Sequence, residues 1–286
     1  MLRTDADQGL AAEGVAIAYG RSLIVEGLDL AVAPGAFTAL VGPNGSGKST
    51  ILRALAGQLV PKAGTIRLDG RNLSDLSAKK IARRVGVLAQ GPAAPEGLTV
   101  LDLVRQGRYP HRSLFGRWSE ADDRACAEAL ALTGIDDLAA RPLENLSGGQ
   151  RQRAWIAMTL AQETGIMLLD EPTTFLDLAH QIELMHLIAD LVAARGKTVV
   201  AVLHDLNQAA RYATRMVMLK GGKIASSGRP SEVMTAETVS QVFGLAVTII
   251  TDPVAGTPMC IPAARSPADG PPLLQIGHEG TETSRS

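Results

Sequence analysis

Residues Gly42-Pro43-Asn44-Gly45-Ser46-Gly47-Lys48-Ser49-Thr50 set glycines, a lysine and hydroxyls in the spacing of a phosphate-binding loop. Glycines let successive backbone N–H groups turn toward an anion, and a helix starting at the loop adds the positive end of its dipole. Lys48 would bring charge to the β- and γ-phosphates of a nucleotide, and the Ser49 hydroxyl would ligand magnesium. A second group of reactive residues ends the apolar run 166–169 with Asp170 and Glu171. Carboxylates at the C-terminal end of a buried strand face the ligand crevice of an α/β sheet. Asp170 is the expected magnesium partner. Glu171, on the other side of the turn, is placed to orient and polarise an attacking water. The phosphate loop alone would leave kinases, GTPases and motor ATPases open, which is why its magnesium and water partners matter.

The loop has the context its chemistry requires. The apolar run 36–41 (AFTALV) precedes it as a buried strand, and the helical pattern STILRALAG follows. Further strands are expected at 14–18, 24–32, 65–68, 85–88, 166–169, 198–203, 216–219 and 247–250. Several are separated by helical patterns, which predicts an α/β fold with a mostly parallel sheet. From about 91 to 163 strand signals give way to helical ones, including 120–132 and 150–161, as expected of a helical insertion. Residues 266–286, rich in Pro, Gly, Ser and Thr, read as a mobile tail after an extension at 252–265.

Composition narrows the setting. The 286 residues carry 28 Lys plus Arg against 29 Asp plus Glu, a formal net charge of −1, so no basic field draws the chain to nucleic acid. Hydrophobic residues make up 46% and aromatic residues 3%, the balance of a core built from Ala, Val, Leu and Ile. Cys126 and Cys260 have no CxxC spacing or nearby His, which points away from zinc and disulfides and toward a reducing compartment. An acidic N-terminus without an apolar run lacks the pattern of a signal peptide, and no stretch approaches the ~18 apolar residues of a membrane span. Work at a membrane would therefore need another chain to cross it.

The run Leu146-Ser147-Gly148-Gly149-Gln150 narrows the class further. It resembles the signature of ATP-binding cassette (ABC) ATPases, and a serine with glycines at a helix start makes an anion-binding surface. The resemblance covers roughly 11–250, with a cassette domain over 11–251. It implies a phosphate-loop core with N-terminal antiparallel strands and a helical subdomain. It also implies ATP and magnesium as cofactors, and a homodimer in which Ser147, Gly148, Gly149 and Gln150 of one copy close on the nucleotide held by the other. By the same resemblance Tyr19 stacks on adenine, Gln90 contacts magnesium and water, and Asp177 lies in the loop that crosses the dimer. His204, directly after the strand at 198–203, reaches the γ-phosphate. His180 and His186, six apart on a helix, project from different faces and make no metal pair.

Finer resemblance comes from Gly107-Arg-Tyr-Pro-His111 with the 114–119 stretch, from 170–177, from His204-Asp-Leu-Asn-Gln-Ala209 and from 252–260. These segments are similar to those of ferric siderophore importer cassettes, with cobalamin and haem importers as close relatives. The implied partners are two integral membrane permease subunits, with a periplasmic or lipoprotein substrate-binding protein acting indirectly. The implied place is the cytoplasmic face of the inner membrane. The stretch 109–118 is the expected contact with the membrane subunit. The alternatives are a haem or cobalamin cassette, or a non-transport cassette ATPase. The last is disfavoured because neither a coiled-coil insertion nor a second cassette fits in the chain.

Overall fold

The computed structural model describes residues 9–91, 97–112, 117–174 and 176–263. Residues 113–116 of the expected partner contact, Phe175, and the expected tail at 266–286 lie outside the described residues.

Two long strands, β1 (Leu10–Tyr19) and β2 (Ser22–Val32), form an antiparallel ribbon before β3 (Phe37–Val41), and the phosphate loop then leads into α1 (Lys48–Leu55). Next come β4 (Ala63–Leu68), β5 (Arg71–Asn72), α2 (Ala78–Ala82) and β6 (Val85–Leu88). Three helices occupy the middle of the chain: α3 (Val100–Gln106), α4 (Glu120–Thr133) and α5 (Gly148–Ala161). The core resumes with β7 (Ile166–Asp170), α6 (Leu178–Arg195), β8 (Thr198–Val202), α7 (Leu206–Tyr212), β9 (Arg215–Lys220) and β10 (Lys223–Gly228). The described chain closes with α8 (Pro230–Val233), α9 (Ala236–Phe243) and the hairpin β11 (Val247–Thr251) and β12 (Pro258–Pro262).

The central sheet has the order β10-β9-β3-β8-β7-β6, parallel throughout except where β10 pairs with β9. A second, antiparallel sheet has the order β2-β1-β4-β5. The α/β class, the mostly parallel sheet and the antiparallel N-terminal strands match expectation. β5, β10 and β12 add to the strands read from sequence. The expected strand at 166–169 continues to Asp170, and the one at 198–203 stops at Val202.

Strand parity explains how one sheet serves two cores. In β3, β7 and β8 every residue is buried, because helices or strands cover both faces. Alternate side chains point oppositely. Met167, Leu169, Val199 and Ala201 join the helical layer of Leu103, Val104 and Leu130. Leu168, Val200 and Val202 instead meet α1 and the antiparallel sheet through Ile51, Leu55 and Ile17. The same alternation carries Asp170 to the α1 side, the side of Leu168.

The helical layer is set by its caps and by one buried ion cluster. Thr99, Ser119 and Ser147 each cap a helix reciprocally with the third residue onward, Asp102, Asp122 and Gln150. Arg108, only 4% exposed, donates from Nε to Asp122 (2.9 Å) and from Nη1 to Glu163 and the Ala161 carbonyl (both 2.6 Å). It thereby ties the start of α4 to the end of α5, and a buried guanidinium so paired is costly to disrupt. Among the described residues no helix is long and apolar enough to cross a membrane.

Leu169, 0% exposed, lies directly between the helical layer and the residue pair that ends β7. Leu169→Ala should lower stability by about 2–5 kcal/mol through the cavity it leaves. A urea midpoint equal to that of the wild type would contradict this packing.

Candidate nucleotide site

The phosphate loop is shaped by what glycine omits. A Cβ on Gly42, φ +150°, would lie 2.3 Å from the Leu219 carbonyl oxygen, a backbone atom of the neighbouring strand β9. Gly47, φ +96°, is the N-cap of α1 and offers no side-chain acceptor, so the first-turn amides of α1 have no capping group and face an incoming anion.

Lys48 is only 5% exposed and donates from Nζ to the carbonyls of Gly42 (2.8 Å) and Pro43 (2.9 Å). Burial pushes its ammonium below the usual lysine range, while the nearby acids Glu171 and Asp170 work the other way. The charge is thus held on two carbonyl dipoles at the mouth of the loop, where phosphate oxygens are a stronger partner.

Asp170, 2% exposed, accepts a hydrogen bond from Ser49 Oγ at 2.8 Å. Burial raises its carboxyl above the usual range, and the Ser49 bond opposes that shift. One hydroxyl and one carboxylate are hard oxygen donors, few in number. That set suits magnesium, which keeps most of its shell as water and phosphate oxygens. Ser49 and Asp170 are the side chains that would hold it.

At Glu171 the backbone turns left-handed, φ +51°, uncommon for a residue with a side chain. The turn swings Glu171 away from Asp170 and into contact with its own turn and with the ends of two other strands. Its Oε2 accepts from Gln90 Nε2 (2.6 Å) and Thr174 Oγ1 (3.1 Å), and its Oε1 lies 2.7 Å from His204 Nε2. Gln90 follows β6, and His204 follows β8. The three parallel strands β6, β7 and β8 therefore deliver these groups to one crevice at their C-terminal ends.

A cleft of about 510 Å³ joins these parts, lined by Tyr19, Asn44, Gly45, Gly47, Lys48, Ser49, Thr50, Gln90, Glu171 and His204, with Ile24 besides. Tyr19, at the end of β1, is 45% exposed and puts its ring at one side of the cleft. Gly42 and Pro43 contribute their carbonyls to Lys48, and Ser46 Oγ is buried without a hydrogen-bond partner.

Ser147, Gly148, Gly149, Gln150 and Asp177 do not line this cleft. Ser147 Oγ accepts from the Gln150 amide (3.2 Å) as the cap of α5, which leaves its own hydroxyl proton free to donate. Asp177 caps α6 and accepts from the His180 amide (2.9 Å), which with the His180 ring holds its carboxyl below the usual range. His180 stays beside Asp177, while His186 lies edge-on to Tyr212, so the two make no pair. Two residues in this region were not singled out in sequence, Ile24 and Thr174. Thr174 was marked only by being a hydroxyl three residues past an acid at a turn.

A phosphate loop joining a central parallel strand to its helix, with acids at the end of a strand two places away in the same sheet, defines the phosphate-loop class of nucleotide-binding ATPases. The ABC transporter family model matches residues 25–174. The ferric enterobactin transport ATP-binding protein of Escherichia coli K12 is 49% identical over 263 residues, covering 92% of this chain and 97% of that protein. The iron(3+)-hydroxamate import ATP-binding protein of Bacillus subtilis 168 is 47% identical over 252 residues, 88% and 94% of the two chains. Among solved structures, an inward-facing metal-chelate type ABC transporter aligns with a TM-score of 0.79 at 29% identity over 90% of this chain and 98% of that one. A dimeric bacterial ABC transporter cassette aligns at 0.69, with 29% identity over 77% and 98%. The chain belongs to the ABC transporter family and is one of its ATP-binding, ATP-hydrolysing subunits.

Ser49→Ala removes both the bond to Asp170 and one hard oxygen donor. It should raise the magnesium concentration needed for half-maximal nucleotide binding by about 10–100-fold, measured by titrating a fluorescent ATP analogue. An unchanged magnesium requirement would release Ser49 from the site.

Proposed function

We propose that this chain is the ATP-hydrolysing subunit of a bacterial importer that carries an iron(III)-siderophore across the cytoplasmic membrane. The observation that carries the reading is the near-half identity, over nine-tenths of the chain, to an enterobactin transport subunit, matched by similar identity to a hydroxamate import subunit of a distant bacterium. Two copies of the cassette would sit on two membrane permease subunits at the cytoplasmic face, with a substrate-binding protein delivering cargo from outside.

In this reading the phosphate-loop amides of 42–50 and Lys48 hold the β- and γ-phosphates, and Tyr19 packs on the adenine. Ser49 and Asp170, joined by Gln90, would hold magnesium, whose chemistry would be to neutralise charge building on the phosphate oxygens. Glu171 orients a water in line with the γ-phosphate and draws on its proton. The Gln90 and Thr174 bonds fix one carboxylate oxygen and leave the other for His204 and the water. His204 turns to the γ-phosphate once nucleotide enters. Ser147 with the free amides of Gly148 and Gly149 supplies further donors from a second copy, with Asp177 crossing between. ATP then bridges the two copies, and hydrolysis removes the bridge, which moves the membrane subunits.

The test compares cells whose single copy is wild type or Glu171→Gln. The substitution keeps the Glu171 shape and removes its charge, so ATP turnover in the purified complex should fall by about 10²–10⁴-fold. Uptake of radiolabelled ferric siderophore should stop while haem and cobalamin uptake continue. Loss of haem or cobalamin uptake with iron uptake intact would reassign the cargo, and undiminished ATP turnover would remove Glu171 from its role.

A further inference from the structure

Outside the nucleotide cleft, the first turn of α6 sits where three segments meet. Gln208 lies one turn into α7, the helix that begins just after His204, and donates from Nε2 to Gln181 Oε1 at 2.9 Å. Gln181 in turn donates from its own Nε2 to the Leu176 carbonyl at 3.0 Å, the residue before Asp177. The neighbouring His180 holds Asp177 twice, through its backbone amide at 2.9 Å and through Nδ1 at 2.7 Å to the same Oδ1. The His180 ring also lies against the start of α5, so close that a Cβ on Gly149 would come within 2.8 Å of Cδ2. A continuous run of contacts therefore joins the helix behind His204 to the turn containing Ser147 and Gly149.

The far side of α7 is anchored. Asn207 accepts from the Cys260 amide at 2.7 Å and donates to the Cys260 carbonyl at 3.2 Å, standing in for a third strand beside the β11–β12 hairpin. Arg211 pairs with Asp252 at the end of the same hairpin. The seven-residue helix is thus held on one side by an amide pair and an ion pair, with His204 just before its start and Gln208 on its Gln181 side.

We propose that Gln208, Gln181 and His180 are positioning residues that tie the state of His204 at one nucleotide to the signature turn that the same chain offers to the other nucleotide. The inference rests on the paired-cassette reading above. None of the three touches the cleft, and their action is on where Leu176, Asp177 and Gly149 stand. Each amide has a defined polarity along the run: Gln208 donates, Gln181 accepts and then donates, and the Leu176 carbonyl accepts. An interruption at any point separates the two sites without removing a group that meets ATP.

The experiment measures steady-state ATP hydrolysis against ATP concentration in the assembled transporter, for wild type, Gln181→Ala, Gln208→Ala, the double variant and Gln181→Glu. Gln181→Glu keeps the size and the acceptor toward Gln208 but loses the donor toward Leu176. For two linked sites the Hill coefficient of the wild type should lie between about 1 and 2 and well above 1. All four variants should fall to about 1, keep turnover at saturating ATP within about threefold, and the double should match the singles as members of one network. Unfolded protein would lower the amplitude and leave the coefficient as it was, so a loss of folding is not read as a loss of linkage. A coefficient unchanged by these substitutions, or a wild-type complex that hydrolyses ATP with a coefficient of 1, would overturn the proposal. A wild-type complex without hydrolysis would instead overturn the ATPase reading beneath it.

Discussion

The backbone at Gly42 runs so near the Leu219 carbonyl of β9 that no side chain can stand between them, and much else follows from that approach. It seats the loop directly over the end of β3, so that the carbonyls of Gly42 and Pro43 lie within reach of Lys48 and hold its ammonium. A buried cation resting on carbonyl dipoles is stable enough to wait, yet better satisfied by phosphate. The loop is in effect an anion site with its counter-charge already in place. The wall behind it is β9, brought beside β3 by a parallel pairing between residues distant in sequence.

The second determinant is the two-residue period of a strand. Because β7 is buried on both faces, its alternate residues feed different cores, and the same alternation sets the side on which its last residue, Asp170, stands. Asp170 follows Leu168 toward α1 and meets Ser49. At Glu171 the strand has ended and the chain turns left-handed, carrying the next carboxylate to Gln90, Thr174 and His204. Two adjacent acids thus acquire different partners and different electrostatics from a change in backbone geometry of one residue. The separation matters electrostatically, since like charges left side by side would favour protonating one of them.

A nucleotide held by this cleft is enclosed on the side of the phosphate loop and open on the other, and the anion-binding turn at Ser147 belongs to a different layer of the molecule. Within the helical layer that bears Ser147, Arg108 ties α4 to the far end of α5, and the start of α5 touches α6 through His180. The position of Ser147 is therefore set by packing between layers as well as by its own helix.

The phosphate loop and the position of Asp170 and Glu171 at a strand end were legible in sequence because backbone wrapping of an anion calls for several glycines within a short loop, and because strands covered on both faces are largely apolar runs. Strands β3, β7 and β8 were visible for the same reason. β10, Lys223–Gly228, was not, since an edge strand with alternate exposed positions and serines carries no such run. β12 begins and ends in proline and reads as a turn until β11 pairs with it. Resemblance named Gln90, His204 and Asp177, but neither spacing nor composition could say that Gln90 and His204 converge on Glu171 from two other strands, or that Gln208 meets Gln181. The sequence by itself determined where a glycine-rich loop and a strand-end pair of acids stand, because those patterns are local to a loop and a strand end. Only the tertiary structure decided which of them stand together and which face away from the cleft, because that depends on the order in which parallel strands pair across long stretches of chain.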